Sequence, residues 1–145
     1  MINTQHMKVE RLISLVEKLL PEYLADPADM NNNGNTAICI IDEQGQIFGK
    51  MFGPDKITTR YIFRIAWTKA SQVWLTGINT GEYEKLVFNK QIDEEKFGIQ
   101  MPDFIGWEGG QLITLKDGSR LSVGFSGMRG ISDLDIVARA VSMLE

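Results

Sequence analysis

The stretch from Leu121 to Ala140 constrains the fold more than any other part of this sequence. Its first residues alternate between apolar and small side chains, which is the period of a strand with one face in a core. Gly124 interrupts that strand, and glycine at such a position indicates the close approach of another backbone, a helix or a ligand. Gly127 and Gly130 then predict a turn, because glycine adopts backbone angles closed to other residues.

A last helix is predicted after this turn. Ser132 is a suitable N-cap, and Asp133 and Asp135 lie in the first turn, where the helix dipole favours negative charge. Apolar residues then recur at helical spacing and supply a buried stripe, namely Ile136, Val137, Ala140, Val141 and Leu144. The chain therefore ends in a strand, a turn and an amphipathic helix.

Helical periodicity also predicts three earlier helices. The first is capped by Thr4 and runs to about Leu24, with Pro21 kinking or ending it near its last turn. The second runs from about Ile57 to Leu75, and the third from Glu82 to about Asn89 with Thr80 as its cap. The inner face of the second helix is predicted to consist of Ile62, Ile65, Ala66, Lys69, Ala70, Val73 and Trp74. Its two alanines lie four residues apart, so this helix can approach a sheet closely.

Two hairpins supply the strands. Thr36–Asp42 and Gln46–Phe52 are joined by a short turn that contains glycine. Gln111–Leu115 and the strand from Arg120 onward are joined by Lys116–Ser119, an Asp-Gly turn. Each pair is antiparallel, because a tight turn reverses the chain. The predicted order is helix, two strands, two or three helices, two or three strands, helix, which is an α+β fold with an antiparallel sheet between helices.

Composition limits the function classes. The 145 residues, 43% of them hydrophobic, suit one domain over 1–145 with a sizeable core. A net charge of −4 argues against nucleic-acid binding. No apolar run approaches the roughly 20 residues that span a bilayer, and the N-terminus lacks a secretory pattern. The single cysteine, Cys39, lies in an apolar run and is interpreted as a buried hydrophobe, so we expect a cytoplasmic protein without membrane or nucleic-acid partners.

Two connecting regions carry open alternatives. The polar loop Asp26–Asn35 is interpreted as a solvated connection. Gln91–Phe97 is predicted as a short helix or a loop. The apolar residues of Gly98–Trp107 indicate a cover for the core, a partner surface or the lip of a pocket; they are Met101, Phe104, Ile105 and Trp107.

Three blocks of the chain carry a family resemblance. The first is the hairpin Ile40–Ile47, with an Asp-x-x-Gly turn between strands, and the second is the Ala-x-x-Lys-Ala helix of Ile65–Thr76, which closes on a threonine. The third block consists of Gly109-Gly110, Asp117-Gly118, Val123–Gly127 and an acidic helix start at Asp133 or Asp135. In order and spacing these blocks resemble the GlcG/HbpS family of haem-binding or haem-degrading domains, and are similar to the C-terminal domain of PduO-type proteins.

The resemblance implies a fold and a class of ligand. It implies a profilin-like fold, with a central antiparallel sheet flanked by helices, and homo-oligomers that are dimers or larger. It also implies small-ligand binding, with haem or another tetrapyrrole as the ligand, by accessory proteins of pathways such as glycolate or diol use.

Candidate ligand-binding residues follow from these blocks. We expect a pocket between the second helix and the sheet, with Lys69, Thr76, Phe125 and Ser126 as its ligand-binding residues. Lys69 lies on the apolar stripe, where it meets an acidic ligand group or, alternatively, snorkels at the sheet edge. His6 is the only histidine and a weak candidate haem ligand; the alternative is a solvated residue near a helix end.

Other haem-ligand and catalytic candidates are weaker. Met51 and Met101 are also of haem-ligand type, although methionines more often fill gaps in a core. Ser126 does not lie in a Gly-x-Ser-x-Gly motif, and no catalytic residue is predicted.

Three functions are compatible with the sequence. The first is a non-catalytic protein that binds a small ligand, with haem or a tetrapyrrole as candidate, or serves as a pathway accessory. The second is an oligomeric structural or interaction module without a ligand of its own. The third, an enzyme acting on a tetrapyrrole or a small acid, is least favoured, because neither an activated nucleophile nor a base is evident.

Overall fold

Among the residues that the structure describes, four antiparallel strands form one central sheet. The computed structural model describes residues 4–92 and 106–145. The strands are β1 (Thr36–Asp42), β2 (Ile47–Phe52), β3 (Gly110–Thr114) and β4 (Arg120–Ser126). Their order across the sheet is β2-β1-β4-β3, and every neighbouring pair is antiparallel. The two hairpins therefore share one sheet, as the sequence predicts, and β1 and β4 are its inner strands.

Within residues 4–92 and 106–145, four α-helices cover the sheet. They are α1 (Thr4–Leu24), α2 (Lys56–Thr76), α3 (Thr80–Phe88) and α4 (Gly130–Leu144), and a 3₁₀ turn spans Pro27–Asp29. Helices α1 and α4 share a buried cluster with one face of the sheet, and α2 packs against the other face. The predicted α+β fold with a central antiparallel sheet between helices is confirmed. Among the described helices, none combines the length and apolar character needed to cross a membrane.

Strand β4 is buried on both faces, whereas its alternation predicts one face in a core. Leu121, Val123 and Phe125 belong to the cluster with α1 and α4, and Ser122 and Ser126 are also buried, on the opposite face. The small side chains of that opposite face allow α2 to lie directly on the strand.

The predicted close approach at Gly124 is confirmed. A methyl group built on Gly124 would lie 2.1 Å from the carbonyl oxygen of Ala66 and 2.7 Å from the backbone nitrogen of Ala70. Real side-chain carbons do not approach other atoms so closely, so the contact requires glycine on the strand. Ala66 and Ala70 form the α2 side of this contact, as the spacing of the two alanines predicts.

Two predicted N-caps are wrong. Helix α4 begins at Gly130 with Arg129 in the N-cap position, three residues before the predicted N-cap. Ser132 lies inside the first turn because its hydroxyl donates to Asp29 instead of capping the helix. Helix α3 begins at Thr80, which does not cap it, because its hydroxyl donates to the Trp107 carbonyl.

The other local predictions differ less from the structure. Pro21 lies within the last turn of α1, which continues to Leu24. The inner face of α2 forms as predicted except at its flanks, since Ile65 is half-buried and Trp74 is 47% exposed. Trp74 still donates its indole N–H to the Asp42 carbonyl. Cys39 is fully buried, as predicted.

The apolar segment before β3 falls mainly outside the described residues. Met101, Phe104, Ile105 and most of the predicted Gln91–Phe97 element lie there, whereas Trp107 is described and 63% exposed.

Candidate functional site

A cavity of about 410 Å³ opens between α2, the end of β4 and the start of α4. We name it the Lys69 cavity. The residues that line it are Asn31, Asn32, Tyr61, Ile62, Ile65, Lys69, Trp107, Glu108, Ser126, Gly127, Met128, Gly130 and Asp133. It therefore lies between the second helix and the sheet, where the sequence predicts a pocket.

Lys69 forms the floor of this cavity. Its side chain is only 2% exposed, because Gly109 and Gly124 leave room for it between α2 and the sheet. Its ammonium donates to the carbonyl oxygen of Phe125 at 2.9 Å and to Oδ2 of Asp133 at 3.4 Å. The snorkelling alternative is wrong, since the charged end points inward and has two protein acceptors.

Asp133 is the acidic partner of Lys69. Its Oδ1 also accepts the backbone N–H of Met128 at 3.1 Å. Burial raises the pKa of Asp133 to about 7, although Lys69 and the Met128 N–H both act in the opposite direction. Burial lowers the pKa of Lys69 for the same reason, because a low-dielectric surrounding disfavours either charge.

The structure decides which aspartate belongs to the site. Asp135 lies two residues further along α4 and is exposed. It accepts a hydrogen bond from the hydroxyl of Tyr23 on α1, on the far side of the helix from the cavity. Asp133 is therefore the residue of the acidic helix start that reaches the site.

Two helix N-termini converge beside the cavity. The backbone N–H groups of Gly130 and Ile131 at the start of α4 have no acceptor within residues 4–92 and 106–145. Glu108 lies next to this end: a methyl group built on Gly130 would be 3.4 Å from its Oε2. A methyl group built on Gly81, in the first turn of α3, would be 3.1 Å from its Cγ. The carboxylate of Glu108 thus lies where both helix dipoles favour negative charge.

The buried carboxylate of Asp29 stabilises one side of the cavity by hydrogen bonds. Asp29 is 2% exposed and accepts hydrogen bonds from the Arg129 backbone N–H at 3.1 Å, from Arg129 Nε at 3.0 Å and from the Ser132 hydroxyl at 2.8 Å. These bonds lower the pKa of Asp29 against the raising effect of its burial. They hold the loop after α1 against the start of α4.

The loop after α1 is part of the site, so its interpretation as a solvated connection is wrong for two residues. Asn31 and Asn32 line the cavity, and the side-chain amide of Asn32 donates to the Gly127 carbonyl at 3.2 Å. Sequence reasoning missed this because the partners of the loop lie about 100 residues away, on Gly127, Arg129 and Ser132. The only local signal is the acidic pair that flanks Pro27 and Ala28.

The predicted ligand-binding residues separate into two groups. Lys69 and Ser126 line the cavity together, and Phe125 contributes its carbonyl while its ring packs into the cluster with α1 and α4. Thr76 lies seven residues beyond Lys69 on α2, roughly 10 Å along the helix axis. Its hydroxyl donates to the Gln72 carbonyl at 2.8 Å.

Thr76 lines a second depression of about 420 Å³ at the opposite end of the sheet, with Asp42, Trp74, Arg120 and Ser122 among its neighbours. The structure therefore does not bring Thr76 together with Lys69 and Ser126.

His6 and Met51, two of the candidate haem ligands of the sequence, lie away from the cavity. His6 is half-buried against β2, where its Nε2 lies 2.8 Å from Oε1 of Gln46 and its ring meets Phe48 edge-on. Met51 is 52% exposed on the edge strand, and Met101 lies outside the described residues. Within the described residues, no cluster of three potential metal ligands of the His, Cys, Asp or Glu type occurs.

Comparisons with solved structures place this fold among known ones. The chain superposes on HbpS with a TM-score of 0.59 and 16% identity, covering 100% of this chain and 92% of HbpS. It superposes on the protein ORFY of Klebsiella pneumoniae with a TM-score of 0.70 and 16% identity, covering 95% and 88%. For a PduOC:haem complex the TM-score is 0.68, with 15% identity and coverage of 97% and 93%.

The structural similarity is far stronger than the sequence similarity. No protein-family model matches the chain, and no curated protein matches it significantly. At 15–16% identity these superpositions show a shared fold. The resemblance to HbpS and to the PduO C-terminal domain that the three sequence blocks carry is thereby confirmed in the fold.

Proposed function

We propose that this protein is a non-catalytic binding protein that takes a small ligand in the Lys69 cavity. The observation that carries the proposal is a lysine that is 2% exposed yet lines an open cavity of about 410 Å³. Burying an ammonium group is costly, so a purely structural position would favour an apolar side chain. A concave site with apolar walls and a few convergent polar groups is the usual form of a small-ligand site.

Haem is the candidate ligand with most support. One protein of the same fold was solved as a haem complex. Within the described residues, Tyr61 and Met128 line the cavity and are of axial-ligand type, whereas His6 does not line it. Ile65 and the exposed ring of Trp107 add apolar surface for a flat macrocycle. Tyr61 or Met128 would hold the iron of a bound haem, and the haem would supply the redox and ligand-binding chemistry of that iron.

A haemin titration followed by absorbance tests this function. We expect a saturable shift of the Soret band in the wild-type protein and an equal shift in His6→Ala, which serves as the matched control. The double variant Tyr61→Phe/Met128→Leu keeps both side-chain sizes but removes both candidate iron-binding atoms. It is expected to abolish the part of the Soret shift that comes from a protein group bound to the iron. Absence of a saturable shift, or a shift that His6→Ala abolishes and the double variant keeps, would contradict haem binding in this cavity.

An apolar surface supports a second role, as a homo-oligomer. Phe63, Trp67 and Trp74 share one flank of α2, because they are separated by four and seven residues. This flank lies along the hairpin of β1 and β2, where Phe63 contacts Gly49 and Trp74 approaches Gly45. Ile47 and Met51, which share the strand face of Gly49, are 54% and 52% exposed.

A second copy of the chain can cover this surface, because β2 is an outer strand whose free edge can pair with another strand. Sedimentation velocity tests the role: Trp67→Gln should weaken a dimer, whereas Phe88→Gln, at an 85% exposed phenylalanine of α3, should not. A monomer at every protein concentration would exclude it.

A further inference from the structure

We propose that the Lys69 cavity holds its ligand by a carboxylate, bound between the ammonium of Lys69 and the start of α4 in place of the carboxylate of Glu108. The inference rests on the proposed function and names the chemical group that the site recognises.

The first support is a hydrogen-bond donor of Lys69 that has no acceptor in the described part of the chain. An ammonium group carries three N–H donors. Within the described residues Lys69 has two acceptors, the Phe125 carbonyl at 2.9 Å and Asp133 at the longer distance of 3.4 Å. The side chain is only 2% exposed, and it lines the cavity. A ligand oxygen there would complete the coordination of the ammonium group.

The second support is the N-terminus of α4. This helix has 15 residues, and its N-cap residue Arg129 makes no side-chain capping hydrogen bond. The N–H groups of Gly130 and Ile131 therefore have no acceptor in the described part of the chain. Because Gly130 also lines the cavity, an anion in contact with Lys69 can accept from the same helix end.

The third support is that a carboxylate already lies at this position. Glu108 belongs to the cavity lining and is exposed, and no hydrogen bond fixes its side chain among the described residues. It lies against the glycines that begin α3 and α4 and contributes to the charge that acts on Lys69. Exchange of one carboxylate for another leaves the net charge of the site unchanged, so a ligand carboxylate meets no added repulsion from Asp133.

Two kinds of molecule carry this group. A tetrapyrrole offers propionate carboxylates beside a flat macrocycle, and a small organic acid offers a carboxylate alone. The apolar walls formed by Tyr61, Ile65 and Trp107 are compatible with both. The shared chemistry is the carboxylate, and binding experiments separate the two sources.

The experiment measures dissociation constants for three probes: haemin, haemin dimethyl ester and succinate. Tryptophan fluorescence reports haemin and its ester, because Trp107 lines the cavity, and calorimetry reports succinate. A charge-assisted hydrogen bond corresponds to about a tenfold change in affinity or more. We therefore expect haemin to bind about tenfold more tightly than its ester if the source is a propionate, and succinate to bind by itself if the source is a small acid.

Glu108→Gln is the decisive variant, because it removes the competing carboxylate at an exposed position where folding is not at risk. We expect it to lower the dissociation constant of the carboxylate probe about fivefold to tenfold. Glu10→Gln, an exposed glutamate of α1 on the other side of the sheet, removes the same charge and should change affinity less than twofold. Lys69→Met/Asp133→Leu should abolish the preference for the acid over the ester.

Each outcome decides between the proposals. Equal affinity for haemin and its ester, together with no effect of Glu108→Gln on any probe, overturns the carboxylate inference while ligand binding in the cavity stands. If none of the three probes binds to the wild type or to Glu108→Gln, the inference and the proposed function both fall. The inference is supported if Glu108→Gln binds the carboxylate probe more tightly than the wild type does and Glu10→Gln does not.

Discussion

The two faces of the sheet differ in what they bury. The face toward α1 and α4 is hydrocarbon, with a cluster that includes Val9, Leu12, Ile40, Val123 and Ile136, all fully buried. The face toward α2 is built from small residues and buries a charged pair, Lys69 and Asp133, at its end. One face thus supplies the apolar burial that stabilises the domain, and the other places polar groups beside a cavity.

The difference shows how one small sheet serves two purposes. Small side chains bring α2 close to the sheet, and the close approach leaves no room for a thick apolar layer. A lysine at the end of this contact is then buried among backbone groups, where it interacts with a carbonyl and a carboxylate. Removing parts of either face tests this division of roles.

The largest effect is expected at the buried pair. Lys69→Met should lower the free energy of unfolding by about 3–5 kcal/mol, because it leaves the carboxyl of Asp133 buried without its partner. The double variant Lys69→Met/Asp133→Leu should recover most of that loss, because no charge remains buried. Urea unfolding followed by circular dichroism measures both. A double variant as unstable as the single one would show that the pair stabilises the α2 face.

The next effect concerns the contact between α2 and β4. Gly124→Ala should lower the free energy of unfolding by about 1–3 kcal/mol, because the added methyl group overlaps the backbone of α2. Thermal unfolding of this variant beside the wild type gives the value. An unchanged melting temperature would mean that the helix does not lie as close to the strand as the structure has it.

A smaller effect tests the hydrocarbon face. The hydroxyl of Thr36 is buried there and has no hydrogen-bond partner among the described residues, so Thr36→Val should raise the free energy of unfolding by about 1 kcal/mol. Thr59 is the matched control, since its buried hydroxyl donates to the Asp55 carbonyl at 2.9 Å. Thr59→Val should therefore destabilise by a similar amount. If both variants lose stability equally, Thr36 has a partner after all.

The last comparison is between two aspartates, measured by carbon NMR titration. Asp133 should titrate near pH 7, because burial raises its pKa to about 7. Its folded pKa lies above the unfolded one, so its stabilising contribution is full below about pH 4 and disappears as the pH rises through 7.

Asp117 behaves in the opposite way. Hydrogen bonds from Ser119, together with Lys8, lower its pKa to about 2. Its contribution is therefore present above about pH 4 and disappears as the pH falls through 2. If Asp133 and Asp117 titrate with the same midpoint pH, the burial of Asp133 is contradicted.

Sequence patterns predicted the parts of the fold that depend on near neighbours. The spacing of apolar residues located the helices, and the turns that contain glycine paired the strands. The glycine of β4 and the alanines of α2 predicted a close helix–sheet contact before its partners were known. Lys69 was identified as unusual because a lysine on an apolar stripe needs a partner.

The partners themselves lie far along the chain and have no local signal. Asp133 follows Lys69 by 64 residues, and Asp29 precedes Arg129 by 100. The predicted caps at Ser132 and Thr80 failed for this reason, because each hydroxyl bonds to a distant group rather than to its own helix. His6 is a candidate for its chemistry alone, and only the fold shows that it faces Gln46, just before β2, and Phe48 on β2.

A map of backbone amide NMR signals on addition of haemin tests the central claim, that the ligand binds on the α2 face beside Lys69. The account predicts that broadening is strongest at Ser126, Gly127 and Gly130, which line the cavity. Broadening centred on His6, Gln46 and Phe48, with the cavity amides unchanged, would contradict it.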